Sequence, residues 1–305
     1  MKVSVVIITY NHENFIEQAI NSALFQITNF DYEIIIGEDC SKDKTRDIVL
    51  EFYRRHPDKI RLLLHEKNVG MNYNFLQTIT KSRGESIATL EGDDYWTSPF
   101  KLPKQVDLLD NNPELSMCFH NANVFYDDGS RVSYKYNHND QNDISSLDDL
   151  WERCIIAFCS AMFRKDPITN LPYWFNTINC PDWALYILYA EKGKIGYIKE
   201  TMAAQRIHAG GVWSGLNEIQ QFEEVIKFYH SMNVNLNFRY NKTIKMMISR
   251  YLYGLALIYE KNGDIDKAKA CLLKCFTEAP FNKSIPFRNL IKLLSHLYFR
   301  PVTPK

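Results

Sequence analysis

Three carboxylates fall within four residues in the stretch Glu91-Gly92-Asp93-Asp94-Tyr95-Trp96. The run before it, Ser86-Ile87-Ala88-Thr89-Leu90, is apolar and short, as a buried strand would be. On a continuing strand Asp93 and Asp94 would point to opposite faces, whereas a turn after Gly92 lets them converge. Like charges that close need a cation or hydrogen-bond donors between them. A hard divalent cation with oxygen ligands, bridging substrate phosphates, is one chemistry that suits the pair. An isolated pair would be no more than a solvated turn ending a strand, so the surrounding elements decide.

Those elements alternate. Residues 3–8 form an apolar, β-branched run that reads as a strand buried on both faces, and it ends in Thr9-Tyr10-Asn11-His12. Phe15, Ile16, Ala19, Ile20, Ala23, Leu24 and Ile27 then recur at helical spacing. A strand over 33–37 ends in Glu38-Asp39-Cys40-Ser41-Lys42-Asp43, and a helix follows with Ile48, Val49, Phe52 and Tyr53 on one face. A strand over 60–64 leads to Asn68-Val69-Gly70, and a helix through Phe75, Leu76 and Ile79 reaches the strand before the acidic turn. This order predicts a mostly parallel sheet sandwiched by helices, a Rossmann-like α/β fold. Ligands of such sheets bind beyond the carboxyl ends of the strands. The polar clusters at 9–12, 38–43, 68–74 and 91–96 are therefore expected to share one site.

Further along, Ser98-Pro99 reads as a helix start, with Pro103 kinking or delaying it. Strands are expected over 115–126, after the turn Asp127-Asp128-Gly129, over 155–163, 195–198 and 202–207, and a loop over 137–143. A helix is expected from Ala184 to Glu191, just after Asn179-Cys180-Pro181-Asp182-Trp183. From residue 216 the pattern is helical only, over 251–261, 264–279 and 285–299, with breaks at Asn262-Gly263 and Pro280-Phe281-Asn282. Leu252, Leu255, Ala256, Tyr259, Ala268, Cys275 and Pro280 resemble one tetratricopeptide-type repeat. A single repeat does not make a solenoid. The reading is a first domain over 1–215 and an all-α domain over 216–305, whose helices pack on the sheet domain or on a second subunit.

The chain of 305 residues has 36 basic and 36 acidic residues, so it has no general attraction to nucleic acid or anionic lipid. No leader is read at the N-terminus, no apolar run is long enough to span a bilayer, and no basic amphipathic helix stands out. The seven cysteines are odd in number and lack zinc-site spacing, which suits reduced thiols in a cytoplasmic protein. The first strand is not followed by G-x-G-x-x-G or by G-x-x-x-x-G-K-[ST], which disfavours a dinucleotide-binding enzyme and a P-loop ATPase or GTPase.

Taken in order, VSVVIITYNHENFIEQAINSAL, YEIIIGEDCSKDKT, NVG and EGDDYW resemble glycosyltransferase family 2, with its GT-A fold, over residues 2–214. The resemblance implies transfer of a sugar, with inversion, from a nucleoside-diphosphate donor such as a UDP-sugar to a hydroxyl. The acceptor would be a glycan or lipid-linked precursor of a cell-surface polysaccharide, met by transient association with the membrane. It implies a manganese or magnesium ion with Asp94 as direct ligand, and Asp93 nearer the donor. Asp39 matches the acidic residue that contacts the base, Thr9, Tyr10 and Asn11 line the same pocket, and Asn68 and Gly70 belong to the donor site. Asp182 matches the catalytic base, and the helix start also suits it as a cap. Arg206 would neutralise departing charge, and His208 would bind metal or phosphate. Gly210-Gly211 would let that loop close, and Trp96 or Trp213 would stack on a sugar or fill the core. Glu38 and Cys40 depart from the commoner Asp and Gly, MNYNF replaces an Ala-Arg-Asn run, Pro181 replaces an acidic residue or Gly, and Glu91 has no role beyond solvation. The rival reading is a non-catalytic sheet domain serving the C-terminal helices as a docking scaffold.

Overall fold

In the computed structural model, residues 1–166, 171–280 and 282–299 are described. Strands β1 (Val3–Thr9) and β2 (Tyr32–Glu38) are buried at every position, as their unbroken apolar runs require. With β3 (Ile60–Leu64) and β4 (Ser86–Glu91) they form a parallel set in the order β3-β2-β1-β4. Helices α1 (Ile16–Leu24), α2 (Thr45–Arg55) and α3 (Met71–Lys81) make the crossovers. The register pairs Thr9 with Glu38, Ile8 with Glu91 and Glu38 with Leu64, so the polar ends of all four strands meet at one edge.

The sheet continues through β9 (Met162–Arg164), β6 (Leu115–Tyr126), β10 (Lys194–Ile207) and β5 (Tyr95–Trp96). Short strands β7 (Tyr134–Lys135) and β8 (Ile144–Ser145) pair with β6 and β10. Two expectations change here. The two strands expected over 195–198 and 202–207 are one, because β10 stays paired with β6 through register shifts around Thr201. The strand expected over 155–163 is confined to β9, because Phe158–Ser160 is a 3₁₀ turn. Carbonyls of that turn accept from Thr89 Oγ1 (2.5 Å), Trp96 Nε1 (2.8 Å) and Gln105 Nε2 (2.9 Å), so the irregular backbone is buried without loss. α4 (Lys101–Asn111) begins later than the Ser98-Pro99 start, as one of the two expected alternatives has it, which leaves Pro103 in the first turn, where no helical N–H is needed. α5 (Leu147–Glu152) and α6 (Pro181–Ala190) complete this unit.

Trp96 is core rather than sugar platform: it is 4% exposed, and the Lys101 ammonium lies 3.9 Å from its ring centroid. Lys101 is fully buried and its Nζ has no hydrogen-bond partner among the described residues. Burial lowers its pKa from 10.5 to about 7. The unfolded chain therefore holds this proton up to pH 10.5 while the folded one releases it near 7, and stability from this group rises with pH across that window. Lys101→Met is expected to raise Tm at pH 7, by on the order of a few kcal/mol of stability. That gain should shrink towards pH 10 in thermal melts, and a gain independent of pH would refute the assignment.

Contacts divide the chain into Met1–Thr177 with Pro181–Ala209, and Ile178–Cys180 with Gly210–Lys305. The second unit contains α7 (Glu218–Asn235), capped by the Asn217 side chain, α8 (Asn241–Lys261), α9 (Ile265–Glu278) and α10 (Phe287–Phe299). Gly263, at φ 82°, allows the turn between α8 and α9. Ala256, Ala268, Leu272, Leu293 and Leu297 form a core of α8, α9 and α10. Phe281, in the break expected before α10, lies outside the described residues. Among the described residues no helix is long and apolar enough to cross a membrane.

Candidate active site

The loops after β1 and β2 are tied together before any ligand is considered. Asn11, at φ 56°, donates its N–H to Ser41 Oγ (2.9 Å) and accepts from Lys42 N–H through Oδ1 (2.8 Å). His12 N–H donates to Thr45 Oγ1 (2.7 Å). Glu38 is fully buried, accepts from Ser41 N–H (2.6 Å) and pairs with Arg46. This residue therefore builds the loop rather than facing a ligand. Cys40 takes φ 58°, the left-handed region in which glycine is at ease, which accounts for a Gly preference there.

Asp39 is 2% exposed, and its two carboxylate oxygens accept from Val69 N–H (2.7 Å) and Gly70 N–H (3.0 Å). Asn68 Nδ2 donates to the Asp39 carbonyl (3.3 Å). The structure thus brings Asp39, Asn68 and Gly70 together, with Thr9 joined to Asp39 through the backbone (3.1 Å) and half-buried Tyr10 next in the chain.

The acidic turn depends on a close approach. A Cβ on Gly92 would lie 2.6 Å from Thr9 Oγ1 and 2.8 Å from His12 Nδ1. Gly92→Ala is expected to push His12 out of place and to destabilise the fold by about 1–3 kcal/mol. Denaturant unfolding measures the loss, and an unchanged midpoint would show that the close approach relaxes at no cost.

Antiparallel pairing of Ala204 with Tyr95 carries the end of β10 alongside the turn. His208 Nε2 thereby lies 3.0 Å from Asp93 Oδ2, and His12 Nε2 lies 3.8 Å from the same oxygen. His12, Asp93 and His208 offer ligand atoms within 4.8 Å of one another. Asp93 Oδ1 is buried with no hydrogen-bond partner among the described residues. Burial pushes the Asp93 carboxyl up, but the His208 hydrogen bond and the His12 charge outweigh it and hold the pKa below the usual value. His12 is lowered by burial, against the pull of Asp93. His12 lies in one of the polar strand ends, and its residue type and spacing alone assign it no role. The signal was its place at the end of a buried strand facing the acidic turn.

The expected division of the acidic pair differs from this geometry. Asp94 is 2% exposed, and Oδ1 accepts from Arg206 N–H (2.7 Å). Burial first, then the Asp93 charge, raise its carboxyl well above the ordinary value. Asp94 is therefore not among the three grouped side chains. Arg206 also differs from expectation, because its guanidinium is committed to protein groups. Nε donates to the Asp93 carbonyl (2.9 Å), Nη2 to Gln18 Oε1 (2.7 Å) and Nη1 to Asp127, while the plane lies 4.5 Å from the Phe15 ring centroid. Arg206 holds the turn in place.

Asp182 stands in the first turn of α6, half-buried, as the sequence expectation has it. Burial raises its carboxyl above the ordinary value, and the Trp183 backbone N–H opposes the rise. Its charge, after burial and those of Asp94 and Asp93, helps raise Glu91 well above the usual range. Glu91 is thus no solvated bystander: it feels the carboxyls at 93, 94 and 182. Gly210, Gly211 and Trp213 fall in the second unit.

The family model described as Glycosyl transferase family 2 matches residues 4–171, more than half of the chain, and a tetratricopeptide repeat model matches 249–282. An uncharacterised protein of Mycobacterium tuberculosis is 39% identical over 211 residues, covering 69% of this chain and 60% of its own length. The chain thus spans about 60% of that relative. A putative teichuronic acid biosynthesis glycosyltransferase of Bacillus subtilis is 28% identical over 67% of this chain and 79% of its own. Among solved structures, S. aureus TarS in complex with UDP-GlcNAc superposes with a TM-score of 0.63 at 15% identity, over 92% of this chain and 82% of that one. A mannosyltransferase of Pyrobaculum calidifontis with GDP-Man and Mn2+ does so with 0.57 at 14%, over 97% and 84%. These two likenesses concern the fold.

Proposed function

The chain belongs to glycosyltransferase family 2, and on that premise we propose that it transfers a sugar, with inversion, from a nucleoside-diphosphate sugar to an acceptor hydroxyl. The observation that carries this reading is the convergence of Asp39, Asp93, His208 and Asp182 on the one sheet edge, from four separated segments. A UDP-sugar is the donor we favour, since TarS, of similar fold, binds UDP-GlcNAc. The acceptor would be a glycan or a lipid-linked precursor, as the relative assigned to teichuronic acid biosynthesis suggests.

The donor set suits a divalent cation: one ionised carboxylate, with a buried oxygen that has no hydrogen-bond partner among the described residues, stands beside two imidazoles. Asp93, His208 and His12 would hold it, and when bound it would supply charge to neutralise the diphosphate. The chain's own residues do the rest. Asp39, anchored by Val69 and Gly70, presents its remaining lone pairs to a base N–H. The Arg206 anchorage keeps the Asp93 backbone fixed, so little reorganisation is needed on binding. Asp182 takes the proton of the acceptor hydroxyl as its oxygen attacks the anomeric carbon and the nucleoside diphosphate leaves. The desolvation that raises its carboxyl makes it a stronger base than a solvated aspartate.

Thermal shift with nucleoside diphosphates and their sugars tests the reading. UDP or a UDP-sugar with manganese should raise Tm by mass action, and a chelator should remove the shift. No shift with any nucleotide sugar, with or without metal, would sink it.

A further inference from the structure

The last helix of the second unit carries a face that its own packing does not use. Leu293 and Leu297 of α10 are buried, with Leu290 and Leu294 packed beside them, against α8 and α9. Phe287, Ile291 and Tyr298 instead remain 73%, 48% and 53% exposed. With 3.6 residues per turn these three fall within roughly 40° of one another, and Arg288 and Lys292 occupy the adjoining sector. A helix that merely closes a stack of helical repeats presents a polar outer face, and α10 does not.

The charged residues of α10 itself, Arg288 and Lys292, are basic, while Glu260 of α8 faces its His296 (3.3 Å). From Ala279 onwards the sequence contains Lys283, Arg288, Lys292, Arg300 and Lys305 and no Asp or Glu, in a chain of zero net charge. α9 adds to the same side, since Lys269 Nζ lies 4.9 Å from the Tyr298 ring centroid. Leu273, one helical turn on from Lys269, is 65% exposed. In the sequence alone no basic amphipathic helix stands out here. The buried leucines adjoin the exposed stripe, so the segment reads as an ordinary core helix until its packing partners are known.

We propose that α10 docks the protein on an anionic phospholipid bilayer, with Phe287, Ile291 and Tyr298 at the headgroup–acyl boundary and Arg288 and Lys292 among the phosphates. Charge complementarity favours this occupant over a second copy of the chain. A two-fold pairing of α10 with itself would set its basic sector against the same sector of its mate.

Co-sedimentation of the full chain with vesicles tests the proposal, and it needs no sugar transfer, so its failure would leave the catalytic reading standing. Binding is expected to phosphatidylcholine vesicles containing phosphatidylglycerol, weakening as salt is raised, and not to phosphatidylcholine alone. Arg288→Gln with Lys292→Gln should lower the partition coefficient roughly 25-fold, at about fivefold per basic residue. Phe287→Ser with Ile291→Ser should remove binding while leaving the thermal melt unchanged, since both side chains are exposed. Absence of wild-type binding to the anionic vesicles overturns the proposal. So does equal binding to both vesicle types, or a dimer in light scattering that the Phe287/Ile291 pair of substitutions dissociates.

Discussion

Asp182→Asn is expected to lower the rate of sugar transfer by about 10²- to 10⁴-fold, the usual contribution of a positioned general base, while donor affinity stays within a few fold. The substitution preserves size and leaves an amide oxygen to accept the Trp183 N–H, so the start of α6 should persist. What it removes is the lone pair that, in the proposed mechanism, would take the acceptor proton. The pH dependence adds a second, independent sign. Burial raises the Asp182 carboxyl above its ordinary 3.8. The base form is present above the folded pKa, so kcat/KM should fall as pH drops through a limb displaced above the ordinary carboxylate range. That limb should disappear from the residual activity of the asparagine variant. Single-turnover transfer and donor titration decide the matter. Transfer retained within a few fold, or donor binding lost, would leave Asp182 as a helix cap only.

Much of the site was legible because parallel strands end at one edge whatever their order. The unbroken runs of β1 and β2 could only be doubly buried strands, and the polar clusters that follow them had to meet. What could not be read is pairing across long sequence separation. The segment from Arg206 to His208 reaches Asp93 only because Ala204 pairs antiparallel with Tyr95, and nothing local announces that register. For the same reason nothing local in the sequence tests the division that the resemblance implies, Asp94 to the metal and Asp93 to the donor, since the two differ in which one meets the β10 backbone N–H. Glu91 escaped because a carboxyl beside other carboxyls looks solvated until its burial is known. Arg206 was legible as a charge near the site, but its commitments to Asp127 and Gln18 are tertiary facts.

The pair of adjacent aspartates gives the other large effect. Asp93→Asn is expected to reduce metal-dependent transfer roughly 10³-fold, because a bound divalent cation contributes several kcal/mol of charge stabilisation, at about 1.36 kcal/mol per decade of rate. Asparagine fills the same space and can still meet His208, yet it lacks the charge that a cation between two imidazoles requires. Asp93 is the member of the pair whose carboxyl is held ionised, by the His208 hydrogen bond and the His12 charge acting against burial. The Asp94 carboxyl is pushed the other way by burial and by Asp93, and it is tied to the Arg206 N–H. A neutral amide at 94 keeps that tie, so Asp94→Asn should weaken manganese binding much less than Asp93→Asn. Titration of manganese into both variants by calorimetry orders them without recourse to turnover. If Asp94→Asn proves the more damaging to manganese affinity, the direct ligand is Asp94, and the cluster of His12, Asp93 and His208 serves the donor phosphates instead.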